Sequence, residues 1–115
     1  MIKKKSQQKT EIRKNMRGGA GEVTIRHYLD KEDITAKCRL CAQLVIPPGA
    51  GIGLHEHAGE DEIFIIQQGK GIINDNGKNV EVEAGDAIVT GKGESHSVTN
   101  NGTTDLIITA VIMQY

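Results

Sequence analysis

A chain of 115 residues has room for one compact domain and too little length for two. It has no tryptophan, two tyrosines and one phenylalanine, which excludes a pocket built to stack a large aromatic ligand and leaves the core to Ile, Val and Leu. The net charge of −1 hides an uneven distribution, because the basic side chains gather at the start of the chain and the acidic ones follow.

Lys3, Lys4, Lys5, Lys9, Arg13, Lys14 and Arg17 face a single acid, Glu11, in the first 17 residues. The stretch contains no aromatic side chain to stack on bases, so no nucleic-acid partner is expected. Its apolar residues, Ile2, Ile12 and Met16, are too sparse for a membrane-binding face. Ser6-Gln7-Gln8-Lys9-Thr10 stands where a secretory signal needs an apolar core, and no run reaches membrane-spanning length, so a cytoplasmic protein without a membrane partner is expected. Residues 1–21 are read as a basic, flexible arm that crosses the acidic body of its own or a partner subunit. Gly18-Gly19-Ala20-Gly21 is the joint to a β domain over residues 22–115.

From Glu22 the chain is a series of short β-prone runs: 22–29, 38–46, 52–57, 62–68, 71–74, 78–82, 87–90, 96–100 and 105–113. Pro47-Pro48-Gly49, Asn74-Asp75-Asn76-Gly77, Ala84-Gly85-Asp86, Gly91-Lys92-Gly93 and Asn100-Asn101-Gly102 supply the turn chemistry between them. Lys31–Lys37 makes at most a turn or short helix. The pattern is that of an all-β sandwich or barrel, and the loop at Asn76-Gly77 is a plain hairpin. Cys38 and Cys41 form a C-x-x-C spacing, but on a strand residues three apart face opposite ways, so both are read as packing residues rather than a disulfide or zinc site.

Two segments carry the chemistry. The first is Gly49, five residues, His55-Glu56-His57, four residues, Glu62, six residues, Gly69; the second is Gly85, five residues, Gly91, Lys92, Gly93, two residues, His96, three residues, Asn100. Two positions apart on a strand, His55 and His57 share a face while Glu56 points away. These segments resemble the paired motifs of the cupin superfamily, the one departure being Gly91 where proline is usual, which loosens the turn before His96. The resemblance implies a double-stranded β-helix (jelly-roll) barrel. It also implies one divalent metal held in the lumen by His55, His57, Glu62 and His96, with the second hairpin lying across the lumen from the first. Glu60 and Asp61 are rival carboxylates; the register of the resemblance selects Glu62. Gly51 and Gly53 leave little bulk before the histidine pair, which either clears room for a ligand or marks a twist or bulge. His27 is given no role.

Three nitrogens and one oxygen suit Mn or Fe best, with Ni, Co and Zn as further options, and leave two positions open on a six-coordinate ion. The expected function is a metal-dependent enzyme, a decarboxylase, oxidoreductase or isomerase, acting on a small oxygenated molecule such as a carboxylate or dicarbonyl. Oxalate-decarboxylase-like or dioxygenase-like chemistry is what the resemblance implies, although no lid segment is evident and no general acid or base is singled out. The alternative is a non-enzymatic barrel that binds metal or a small ligand. The run Leu106-Ile-Ile-Thr-Ala-Val-Ile112 is apolar on both faces, which predicts a homodimer or cover by the N-terminal arm.

Overall fold

The β-prone runs become ten strands in the computed structural model, which describes residues 1–115. They are β1 (Thr10–Lys14), β2 (Glu22–Leu29), β3 (Cys38–Ile46), β4 (Gly51–Glu56), β5 (Glu60–Gln68), β6 (Lys70–Asp75), β7 (Lys78–Glu83), β8 (Ala87–Thr90), β9 (Ser95–Thr99) and β10 (Leu106–Gln114). One sheet has the order β1-β2-β3-β10-β5-β8 and the other β4-β9-β6-β7, with every pairing antiparallel. The two sheets face each other as the jelly roll requires.

Strand alternation places the core between the sheets. Ala42, Leu44 and Ile46 of β3, Phe64 and Ile66 of β5, and Leu106, Ile108 and Ala110 of β10 are buried, and they pack against Ile52, Ile73 and Val98 of the second sheet. Their neighbours on the other face of the first sheet, Val45, Ile63, Ile107 and Val111, are half-buried. Asn76 and Gly77, at φ 48° and 95°, turn the β6–β7 hairpin through the left-handed region, as Asn-Gly does in two-residue turns. Lys31–Asp33 forms a single 3-10 turn. Cys38 is buried and Cys41 half-buried, and both are free thiols.

Two strand irregularities govern the site. Ile52 pairs with Val98 and His55 with His96, so two residues of β4, Gly53 and Leu54, stand against one of β9. Ile52 and His55 are three apart and would face opposite ways on a regular strand; this bulge brings both inward and leaves Leu54 63% exposed. On β3, Leu40 pairs with Ile112 and Cys38 with Met113, which makes Arg39 the unpaired residue of a second bulge.

Residues 1–21, expected as a flexible arm, lie in this structure along the body of the same chain. Thr10–Lys14 pairs with β2 from Thr10↔Arg26 to Lys14↔Glu22, and Lys3 forms ion pairs with Asp30 and Asp33. A 3-10 turn at Met16–Gly18 then crosses β4. Ile12, the apolar residue of β1, is 61% exposed, so backbone pairing rather than burial holds this strand. Hydropathy patterning does not register such an element.

Candidate metal centre

His55, on β4, and His96, on β9, are direct cross-strand neighbours, and His57 follows just past the end of β4. All three therefore project from the four-stranded sheet, and Glu62 of β5 reaches them from the six-stranded one. The second hairpin thus supplies His96 beside His55 rather than across the lumen from it, because β9 is the strand to which β4 is hydrogen-bonded. The four donor atoms lie within 4.8 Å of one another. Glu62 Oε1 is 3.0 Å from His57 Nε2, 2.9 Å from His96 Nε2 and 3.9 Å from His55 Nε2. His96 Nε2 is 3.1 Å from both His57 Nε2 and His55 Nε2.

Every imidazole is held by its other nitrogen. His55 Nδ1 donates to the Gly53 carbonyl at 2.7 Å, the carbonyl of the bulge itself. His57 Nδ1 meets Glu60 Oε2 at 2.6 Å, and His96 Nδ1 meets the Thr90 hydroxyl at 2.9 Å. Thr90 is the cross-strand partner of Glu62, so the strand register that places one donor also places the support of another. Phe64 stacks on His96 with ring centroids 4.9 Å apart. Outer hydrogen bonds of this kind fix ring orientation and leave each Nε2 free to ligate. Glu60 is in turn gripped by Arg39, whose Nε and one terminal nitrogen each donate to a separate carboxylate oxygen at 2.8 Å. The bulge on β3 puts Arg39 there.

The electrostatics follow from these contacts. Burial pushes the Glu62 carboxyl up, but hydrogen bonds from His55, His57 and His96 outweigh it and hold the group well below the usual carboxylate range. Glu62 raises His57 above its ordinary value, against burial and with further help from Glu60. The Arg39 guanidinium, opposed by burial and joined by His57, lowers Glu60 to about 2. Both carboxylates are thus anionic at neutral pH, as a donor and its support must be.

The donor set fits a metal. For donors about 2.1 Å from an ion, right-angled neighbours are about 3.0 Å apart and tetrahedral ones about 3.4 Å. The contacts at 2.9, 3.0, 3.1 and 3.1 Å have the right-angled spacing. A divalent ion held by His55, His57, Glu62 and His96 would supply Lewis acidity and positions for oxygen ligands.

Beside this cluster is a cavity of about 80 Å³ lined on its apolar side by Ile25, Leu40, Leu44, Ile52 and Ile112 and at its rim by Glu11, Arg13, Met16, Arg17 and Arg39. Gly51 and Gly53 clear space for backbone rather than for a ligand. A Cβ on Gly53 would stand 2.0 Å from the Arg17 carbonyl oxygen, and the space at Gly19 is closed by Gly51 in the same way, at 2.3 Å. Gly91, in the place of proline, gives room to Asp61, whose Oδ1 would be 1.8 Å from a Cβ there. Asp61 also accepts from the Tyr115 hydroxyl at 3.3 Å and does not enter the donor set. Sequence reasoning missed Glu60 as a support, along with Thr90, Arg39 and the N-terminal arginines. Only Glu60, three residues after His57, carried a local signal.

A jelly roll with three histidines and one glutamate converging between its sheets defines a cupin, and residues 42–112 match the family model of the Cupin domain. The chain belongs to that family. It is 49% identical over 113 residues, 98% of this chain and 93% of the other, to an "Oxalate-binding protein" of Thermotoga maritima. A crystal structure from the same organism, described as a "predicted oxalate decarboxylase", superposes with a TM-score of 0.94 at 48% identity over the whole of both chains. The polyketide cyclase RemF of Streptomyces resistomycificus shares the fold, with a TM-score of 0.78 at 22% identity over 99% of this chain and 80% of that one.

Proposed function

We propose that the chain holds one divalent transition metal on His55, His57, Glu62 and His96 and captures on it a small dicarboxylate of the oxalate class. The observation that carries this reading is the pre-set donor group: three Nε2 atoms and one carboxylate oxygen converge while every Nδ1 is already engaged. Three imidazoles and one carboxylate with positions left open suit manganese or iron, with zinc as the rival. A cavity of about 80 Å³ is far below the roughly 300–1,000 Å³ of sites for drug-sized ligands, so the ligand is a few atoms across. Of the arginines lining the cavity, Arg17 has no carboxylate partner, which favours an anion, and the oxalate-binding relative points to the same class.

The test is elemental analysis of protein purified without chelators, followed by calorimetric titration of the metal-loaded protein with oxalate. About one equivalent of manganese or iron, lost in His57→Ala, together with saturable oxalate binding, is the expected result. Absence of metal uptake on reconstitution would overturn the reading.

A second reading, turnover of the captured ligand, rests on one feature of the rim. Apart from Glu62, the only carboxylate lining the cavity is Glu11, whose Oε1 is 3.3 Å from His27 Nε2 and 3.1 Å from an Arg13 terminal nitrogen. Non-oxidative decarboxylation of oxalate breaks the C–C bond, releases CO₂ and needs one proton on the remaining carbon to give formate. On this reading Glu11, the one other carboxyl group lining the cavity, delivers it. Glu11→Gln is then expected to abolish formate release while oxalate affinity stays within a few fold. A wild-type protein that binds oxalate and never yields formate would leave the binding function alone.

A further inference from the structure

The turn between β1 and β2 has an expensive backbone. Asn15, Arg17 and Gly18 all have positive φ, and Arg17, at φ 54° and ψ 28°, is a long side chain in the left-handed region. Left-handed backbone at a residue other than glycine persists where surrounding structure enforces it. Here the enforcement is visible. Gly18 and Gly19 donate backbone hydrogen bonds to Asn15 and Met16, Asn15 Nδ2 donates to the Gly19 carbonyl, and Gly51 donates to the Ala20 carbonyl. Arg17 and Gly19 lie directly on Gly53 and Gly51, where no side chain intervenes.

This turn brings Arg17 to the rim of the metal cavity. Of the three arginines there, Arg39 is committed to Glu60 and Arg13 to Glu11. Arg17 has no hydrogen-bonded or ion-paired side chain in the structure. Charge then makes a specific demand. A divalent ion beside the Glu62 carboxylate leaves one net positive charge, and a dicarboxylate brings two negative ones. One unpaired guanidinium completes the balance.

We infer that the Asn15–Gly19 turn is a clamp and that Arg17 determines selectivity for dianions, engaging the carboxylate of the ligand that is farther from the metal. This inference rests on the metal-and-dicarboxylate reading above. The strained backbone puts a planar, always-charged donor at a barrel mouth that the jelly-roll strands leave without a free cation. A monoanion such as formate has no second carboxylate and gains little from it.

The experiment is calorimetric titration of manganese-loaded wild-type, Arg17→Gly, Arg17→Gln and Arg17→Lys proteins with sodium oxalate and with sodium formate. Arg17→Gly relieves the left-handed backbone, so its melting temperature is expected to match or exceed wild type. Loss of the charge-assisted contact is expected to weaken oxalate about tenfold in the Gly and Gln variants and formate by less than about twofold. Arg17→Lys should recover part of the difference, and metal uptake should be equal in all four. Equal affinity for oxalate in wild type and both neutral variants would overturn the inference and leave the site reading intact, as would parallel losses for oxalate and formate. A wild-type protein that takes up manganese but no oxalate would overturn both.

Discussion

Glu60 never joins the donor set, yet it controls one of its members. Its carboxylate lies between Arg39 and the Nδ1 of His57, and the Arg39 contact keeps it ionised through the neutral range. Removing the charge while keeping the shape, as in Glu60→Gln, weakens the hold on the imidazole without touching a metal-facing atom. Loss of such a supporting group typically costs about 10–100-fold in metal affinity. That range is expected for Glu60→Gln in competition with a chelator of known affinity, and Arg39→Gln should follow it at smaller amplitude. Metal affinity unchanged in Glu60→Gln would mean that packing alone orients His57. The sequence made the cluster of His55, His57, Glu62 and His96 legible because each is a chemically distinctive residue at a fixed spacing. It did not show their supports, since Thr90 and Arg39 are joined to the histidines only through strand register and a bulge. Those depend on which strands pair, and no local pattern of residues encodes that.

The N-terminal segment is joined to the barrel by three separable devices, and each can be removed alone. The first is ionic. Lys3 contacts Asp30 and Asp33, its hydrogen bonds lower both aspartates below the usual carboxylate range, and they in turn raise Lys3 above its ordinary value. A lowered carboxylate contributes stability above its unfolded-state pKa and loses it as pH falls through the folded value. A raised lysine contributes below its unfolded-state pKa and loses it as pH rises through the folded value. Docking of residues 1–9 is therefore expected to hold at neutral pH and to fail first on acidification. Amide hydrogen exchange in this segment, compared with that in β10, should accelerate selectively in acid, and Lys3→Ala should give the same acceleration at neutral pH. The second device is the β1–β2 ladder, and the third is the close approach of the 15–19 turn to β4. Gly53→Ala sets a methyl against the Arg17 carbonyl, which is backbone and has no room to rotate away. A loss of about 1–3 kcal/mol is expected from such overpacking, read by thermal melting. Nine strand positions in the β domain were legible from alternation and turn residues to within a residue or two. The tenth strand was not, because Thr10-Glu-Ile-Arg-Lys is charged and exposed and gains its order from the free edge of β2.

At the scale of the molecule, the six-stranded sheet has one face in the core and one turned outward. Along β10, Leu106, Ile108 and Ala110 point inward, while Ile107, Thr109 and Val111 point out and remain half-buried. The outward row continues into Val45 on β3, Ile63 and Ile65 on β5 and Val89 on β8, with Ile65 39% and Val89 63% exposed. β1 extends the sheet at its edge beside β2, while Tyr28 of β2 reaches across part of this face, its hydroxyl 3.4 Å from both the Thr109 hydroxyl and Gln67 Oε1. Ile63, Ile65, Val89, Ile107 and Val111 form an apolar patch on this face, bordered by Thr109 and Gln67, and a patch of this kind is a candidate association surface. A second copy of the chain is the simplest occupant, since a twofold axis through this face would set each apolar row against its equivalent and close the assembly at two. The cavity beside the histidine cluster is lined by Met16 and Arg17 of the β1–β2 turn and by none of the residues of this outward row, so pairing through the row would leave it accessible. Light scattering after gel filtration is expected to give twice the chain mass of 12.4 kDa at micromolar concentration. Ile65→Lys combined with Val89→Lys should give the single mass while metal uptake is retained, because neither side chain lines the cavity. A wild-type protein that elutes as a clean monomer would show that this face is exposed in solution and that the apolar pattern of β10 serves the fold alone.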